Sequence, residues 1–146
     1  MSKPQVFISY AGQDEFEADL LKFALETRLA DVGVEAWIFR QDQNSSERNI
    51  AESLKERVKA SRAMIFLVSP TTLERGATQW MELAYADAFE VPTFVLLHRL
   101  QYDDLRSPDT SVPPLLLSGQ CNAATDWRAV MEDIRTHITK GATDGD

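Results

Sequence analysis

Ala63-Met-Ile-Phe-Leu-Val68 is a six-residue run with no polar side chain, and Ser69-Pro70 ends it. A strand with one wet face alternates apolar with polar residues, whereas a strand covered on both faces is apolar throughout. The run therefore reads as a central strand of a parallel sheet, the third in chain order. Upstream, Val6-Phe7-Ile8-Ser9-Tyr10 is a short, nearly continuous apolar run and reads as the buried first strand, broken by Ala11-Gly12-Gln13. Asp14 and Glu17 have the spacing of a capping pair. Phe16, Leu20, Leu21, Ala24, Leu25 and Leu29 then recur at helical spacing, which predicts a helix over about residues 15–32 that Gly33 stops. Val34 to Phe39 is the second strand. Arg40 to Glu47 is polar enough to be a loop, and Ile50, Leu54 and Val58 mark the next helix.

Downstream of the third strand the pattern predicts a helix over about residues 78–89 and a fourth strand from Pro92 to Leu97. Residues 99–114 read as an irregular loop, and Leu115-Leu116-Leu117 as a fifth, edge strand. Trp127, Val130, Met131, Ile134 and Ile138 define a closing helix. Strands and helices alternate without an internal repeat, which specifies an α/β chain with a five-stranded parallel sheet and helices on both faces. One domain over residues 1–140 is expected, with residues 141–146 a disordered tail or linker.

Composition narrows the function. Hydrophobic residues at 44% and charged residues at 26% belong to a globular chain and exclude the disordered and collagen-like classes. The apolar runs are far shorter than the roughly 18 residues that span a bilayer, and Met1-Ser2-Lys3-Pro4 opens no signal peptide, so a cytoplasmic protein without membrane contact is expected. A single cysteine, Cys121, excludes an internal disulfide, and His98 and His137 are too few for an ordinary zinc site. No metal is expected. With 23 acidic against 15 basic side chains the net charge is −8, which disfavours direct nucleic-acid binding.

In a parallel sheet of this kind ligands bind beyond the carboxyl ends of the strands. The segments that matter are then Tyr10 to Gln13, Arg40 to Glu47, Ser69 to Trp80 and His98 to Leu100. Ser9-Tyr10 and Ser69-Pro70 stand where a phosphoacceptor receiver needs acids, and Tyr10-Ala11-Gly12-Gln13 lacks the hydroxyl-rich loop of a flavodoxin. No Gly-rich dinucleotide or triphosphate loop is present. Ser9 and Ser69 read as turn formers, and His98 as an edge residue.

Phe7-Ile8-Ser9-Tyr10, Gly33-Val-Glu-Ala-Trp-Ile38, Ser61-Arg-Ala-Met-Ile-Phe-Leu-Val-Ser-Pro70, and Trp80-Met-Glu82-Leu followed by Pro92 together resemble a TIR (Toll/interleukin-1 receptor) domain of the bacterial type, over about residues 4–138. The resemblance implies a flavodoxin-like three-layer fold. In the enzymatic branch of that family it implies cleavage of the nicotinamide–ribose bond of NAD+, giving nicotinamide and ADP-ribose or a cyclic form, by a glutamate near the start of the third main helix. Glu82 is the matching position. The other acids of that helix, Asp87 and Glu90, lie too far from the strand ends. The chain departs from the family pattern in two places: Trp80 precedes Glu82 by two residues rather than four, and Asn44-Ser45-Ser46-Glu47 replaces a Pro-Gly pair used in partner contacts.

NAD+ would be a substrate, with no resident cofactor. Its nicotinamide is already cationic and leaves neutral, so one carboxylate suffices where most glycosidases need two. The residues expected to bind the substrate are Tyr10, Ala11, Gly12, Trp37, Phe39, Arg40 and Trp80. Arg40 would face the pyrophosphate, and the aromatics would stack on a ring or only pack in the core; Trp37 matches a family aromatic beside the substrate. The resemblance also implies TIR–TIR self-association, a fused or separate sensor domain, and a place in bacterial immune or stress signalling. Two other readings stand beside it. One is a non-catalytic TIR interaction module. The other is an enzyme like the nucleoside deoxyribosyltransferases, to whose glutamate-bearing helix Glu82-Leu-Ala-Tyr-Ala-Asp-Ala is similar.

Overall fold

The computed structural model describes residues 3–38, 47–75, 77–106, 112–118 and 121–144. Strand β1 (Gln5–Ser9) leads through a turn to helix α1 (Glu15–Arg28), followed by β2 (Glu35–Ile38) and α2 (Glu47–Lys59). Then come β3 (Ala63–Val68), α3 (Pro70–Arg75), α4 (Ala77–Ala88) and β4 (Thr93–Leu97). Short helices α5 (Tyr102–Leu105) and α6 (Pro114–Ser118) precede β5 (Cys121–Ala123) and the closing α7 (Trp127–Asp144).

All four strand pairings are parallel, in the order β2-β1-β3-β4-β5. The chain thus leaves β1 toward one edge and β3 toward the other, placing the switch point between β1 and β3. Strand alternation then sorts the core into two layers. Val6, Ile8, Ala63, Ile65 and Leu67 face α1 and α7, where they meet Ala18, Leu25, Leu29, Met131 and Ile134. Phe7, Met64, Phe66 and Val68 face the other layer and meet Leu54, Val58, Leu83, Ala86 and Leu116. Phe7 and Phe66 are fully buried, each contributing roughly 1.5–3 kcal/mol by leaving water.

Several elements differ from the sequence reading. The first helix stops at Arg28 rather than 32; Ala30–Val32 forms a 3-10 turn that ends at Gly33, whose φ of 71° is the left-handed conformation glycine tolerates. Leu115-Leu116-Leu117 is not the fifth strand. It lies in α6, with Pro114 as the first helical residue, and Leu116 seals the α4 layer. The fifth strand is Cys121–Ala123, paired to Val95–Leu97. Ser69-Pro70 does end β3, and Pro70 also opens α3, a helix the sequence reading did not place. The supposed loop of residues 99–114 holds α5, whose start is closed by a capping box between Gln101 and Asp104. Helix α7 runs on to Asp144.

The β2 margin is covered by α1. Glu26 accepts the Ala36 N–H at 3.0 Å and Lys22 donates to the Ala36 carbonyl at 2.9 Å, while the two side chains pair with each other at 2.9 Å. No helix among the described residues is long and apolar enough to cross a membrane.

Candidate functional site

The sheet's alternation carries Ser9, two residues after Phe7, onto the α4 side. There its hydroxyl donates to Glu82 Oε1 at 2.7 Å. Both groups are buried, Ser9 at 1% and Glu82 at 3% exposure. Removing a carboxylate from water disfavours its charged form, and one hydroxyl restores only part of what hydration supplied. Burial accordingly pushes the Glu82 carboxyl up to about 8, against a smaller lowering by Ser9.

A second buried serine closes the neighbouring strand. Ser69 Oγ donates to Asp14 Oδ2 at 2.5 Å, and Asp14 is 7% exposed. Asp14 was expected to cap α1; its side chain makes no capping bond and is spent on Ser69 instead. The two serines read as turn formers therefore each hold a buried acid, one from each helical layer. Next to them, Thr72 donates to Gln79 Oε1 at 2.7 Å, and Gln79 Nε2 donates to the Leu67 carbonyl at 2.8 Å. The pattern was readable in part. Gln79, Glu82, Leu83 and Ala86 are spaced as one inward helical stripe and all are buried, so its first two positions put polar groups in the core.

The remaining expected site residues divide between the layers. Trp37 packs on Phe7 with ring centroids 5.1 Å apart, under the Arg57 guanidinium at 5.1 Å. Trp80 stacks on Phe66 at 5.8 Å. Both tryptophans therefore share the layer of Glu82. Tyr10 is half-buried and packs against the α1–α7 core, on the other side. Ala11 is buried and its carbonyl accepts the Asp14 N–H at 2.8 Å, while Gly12 is exposed. Phe39 and Arg40 lie outside the described residues.

Among the described residues, hollows open near the strand ends, three of which bear on the site. One of about 590 Å³ is bounded by His98, Arg99, Gln101, Asp104 and Thr125. A small polar one of about 200 Å³ is lined by Asp14, Glu17, Ser69, Thr71, His98 and Arg99. The third, about 400 Å³, is an apolar groove between α1 and α7, floored by Leu21, Ala24 and Trp127. Glu82 lines none of these three. Among the described residues no group of three His, Cys, Asp or Glu side chains is placed to hold a metal ion.

A sequence model described as TIR domain matches residues 6–135. The chain belongs to the TIR domain family. Solved structures agree with this TIR domain in fold. The TIR domains of the activated Roq1 resistosome, which directly recognizes the pathogen effector XopQ, superpose with a TM-score of 0.54 at 16% identity, over 93% of this chain and 77% of theirs. A 2-desoxiribosyltransferase from Leishmania mexicana superposes with a TM-score of 0.52 at 18% identity, over 64% of each chain, so the match spans less than two thirds of that enzyme. A search of curated protein sequences finds no match.

Proposed function

We propose that this TIR domain cleaves the nicotinamide–ribose bond of NAD+, with Glu82 as the group that faces the ribose C1′. The observation that carries the reading is a carboxyl, 3% exposed, that accepts from Ser9 beside the switch point of a parallel sheet and has no counter-ion among the described residues. An acid placed so has a plain use: it prefers a cationic visitor. With its carboxyl up near 8, Glu82 holds a proton at neutral pH until a positive ring comes close, and the ring then favours the ionised form. As the C1′–N bond lengthens, nicotinamide leaves neutral and the positive charge moves to the ribose. The ionised Glu82 stabilises that charge, or adds to C1′ until water displaces it. Products are nicotinamide and ADP-ribose, or its cyclic form where a ring nitrogen takes the place of water.

Glu82 is closed off in the single chain, so this reading requires association to open the approach. Phe16, Leu20 and Phe23 supply a surface for it: all three are on α1, at 70%, 54% and 70% exposure. The same stripe favours the second reading, a TIR module that only associates. Nicotinamide release separates the two. Concentrated, crowded protein is incubated with NAD+ and the products are resolved by chromatography. Release that falls about a hundredfold or more in Glu82→Ala supports the reading. Equal turnover by both proteins overturns the assignment of Glu82, and base exchange between deoxynucleosides without NAD+ loss would favour the transferase-like reading.

A further inference from the structure

Helix α3 is described to Arg75 and α4 from Ala77. The start of α4 is tied back to the end of β3 by a closed loop of hydrogen bonds. The Ser69 N–H donates to Thr72 Oγ1 at 3.1 Å, Thr72 Oγ1 donates to Gln79 Oε1 at 2.7 Å, and Gln79 Nε2 returns to the Leu67 carbonyl at 2.8 Å. Thr72 and Gln79 are 0% and 1% exposed, so these bonds form without competing water. An amide is required here, because one end must donate to a carbonyl while the other accepts from a hydroxyl. Glu82 follows Gln79 by three residues, on the same helical face.

We propose that Gln79 is the positioning residue of this site: by pinning the first turn of α4 to the carboxyl end of β3, it aims the Glu82 carboxyl at Ser9 and keeps it dry. The inference rests on the reading of Glu82 as the reacting acid. Released from the pin, the first turn of α4 shifts, the bond to Ser9 opens and water reaches the carboxyl. Among the described residues burial and the Ser9 hydroxyl set the carboxyl's proton affinity, so hydration would return it toward the ordinary glutamate range.

The test compares the full chain with Gln79→Leu and Thr72→Val. Nicotinamide release is measured from pH 5 to 9, together with thermal unfolding of each protein with and without Glu82→Gln. The expected result is a kcat lower by about tenfold to a hundredfold with KM changed little, and an acid limb moved below that of the parent chain. Unfolding reports the same shift without any activity: the pH-dependent gap between Glu82 and its Glu82→Gln counterpart shrinks in both variants. A lower melting temperature with an unmoved acid limb and an unmoved gap would overturn the proposal and leave Gln79 a core residue only. If the parent chain releases no nicotinamide, the NAD+ reading fails by itself, and the unfolding gap alone decides whether Gln79 positions Glu82. If Gln79→Leu does not fold, Thr72→Val carries the comparison.

Discussion

Helix α4 turns Gln79 and Glu82 into the core, whereas α1 turns Phe16, Leu20 and Phe23 out to water. Each inverts the usual sorting of side chains, in opposite directions. A buried acid and an exposed aromatic stripe both lower stability relative to the sorted arrangement, and such departures concentrate where a fold does something besides fold. They also differ in kind. The α4 pair is tied to Ser9, Leu67 and Thr72 by short bonds, and the proposed function gives it chemistry. The α1 stripe is open to solvent, and the same proposal gives it contact between chains.

The largest effect expected from breaking the contrast is on turnover. Glu82→Gln keeps size and polarity but removes the charge, and NAD+ cleavage should fall by about 3–4 kcal/mol in transition-state stabilisation, read as nicotinamide release. The same substitution should raise stability. Folded, the carboxyl holds its proton up to about 8; unfolded, it loses it near the ordinary glutamate value of 4.5. Between those limits the folded state binds more protons, so parent stability falls as pH rises. The advantage of Glu82→Gln should therefore widen by roughly 1.4 kcal/mol per pH unit across that window and level off on either side, in urea unfolding. A variant that is both less active and less stable at pH 8 would break the contrast.

Ser9→Ala should cost about 1–3 kcal/mol by removing the donor that Glu82 Oε1 accepts. Because that donor lowers the carboxyl's proton affinity, its loss should push the acid limb of kcat/KM above about 8. The smallest change in folding belongs to α1. Phe16→Asp with Phe23→Asp should shift stability by less than about 0.5 kcal/mol per site. It should nonetheless reduce self-association in sedimentation experiments, and with it NAD+ turnover at high protein concentration.

Much of this architecture was legible because it rests on long apolar runs. β3 is buried along its whole length and could be read from Ala63 to Val68 without context. β5 could not: Cys121–Ala123 is three residues, none of them fully buried, and what makes it a strand is pairing with β4. Leu115 to Leu117 misled because three leucines satisfy a strand or a helix equally, and only the proline before them and the open side of the α4 layer decide for the helix. At the candidate site, Glu82 was singled out by its place in a motif. The bonds around it were not legible, because Ser9, which holds Glu82, and the neighbouring Ser69, Asp14 and Thr72 look like turn and cap residues until the sheet closes and brings strand ends against helices far along the chain.

The treatment of Ala36 reaches beyond the single molecule. Its N–H and C=O are already taken by Glu26 and Lys22, so the outermost strand offers no template there for a foreign backbone. At the opposite margin, three residues give too short a ladder to build on. At these two places an assembly of the domains would rest on side chains rather than on a shared ladder, a contact that salt or detergent weakens more readily than a cross-strand fibril.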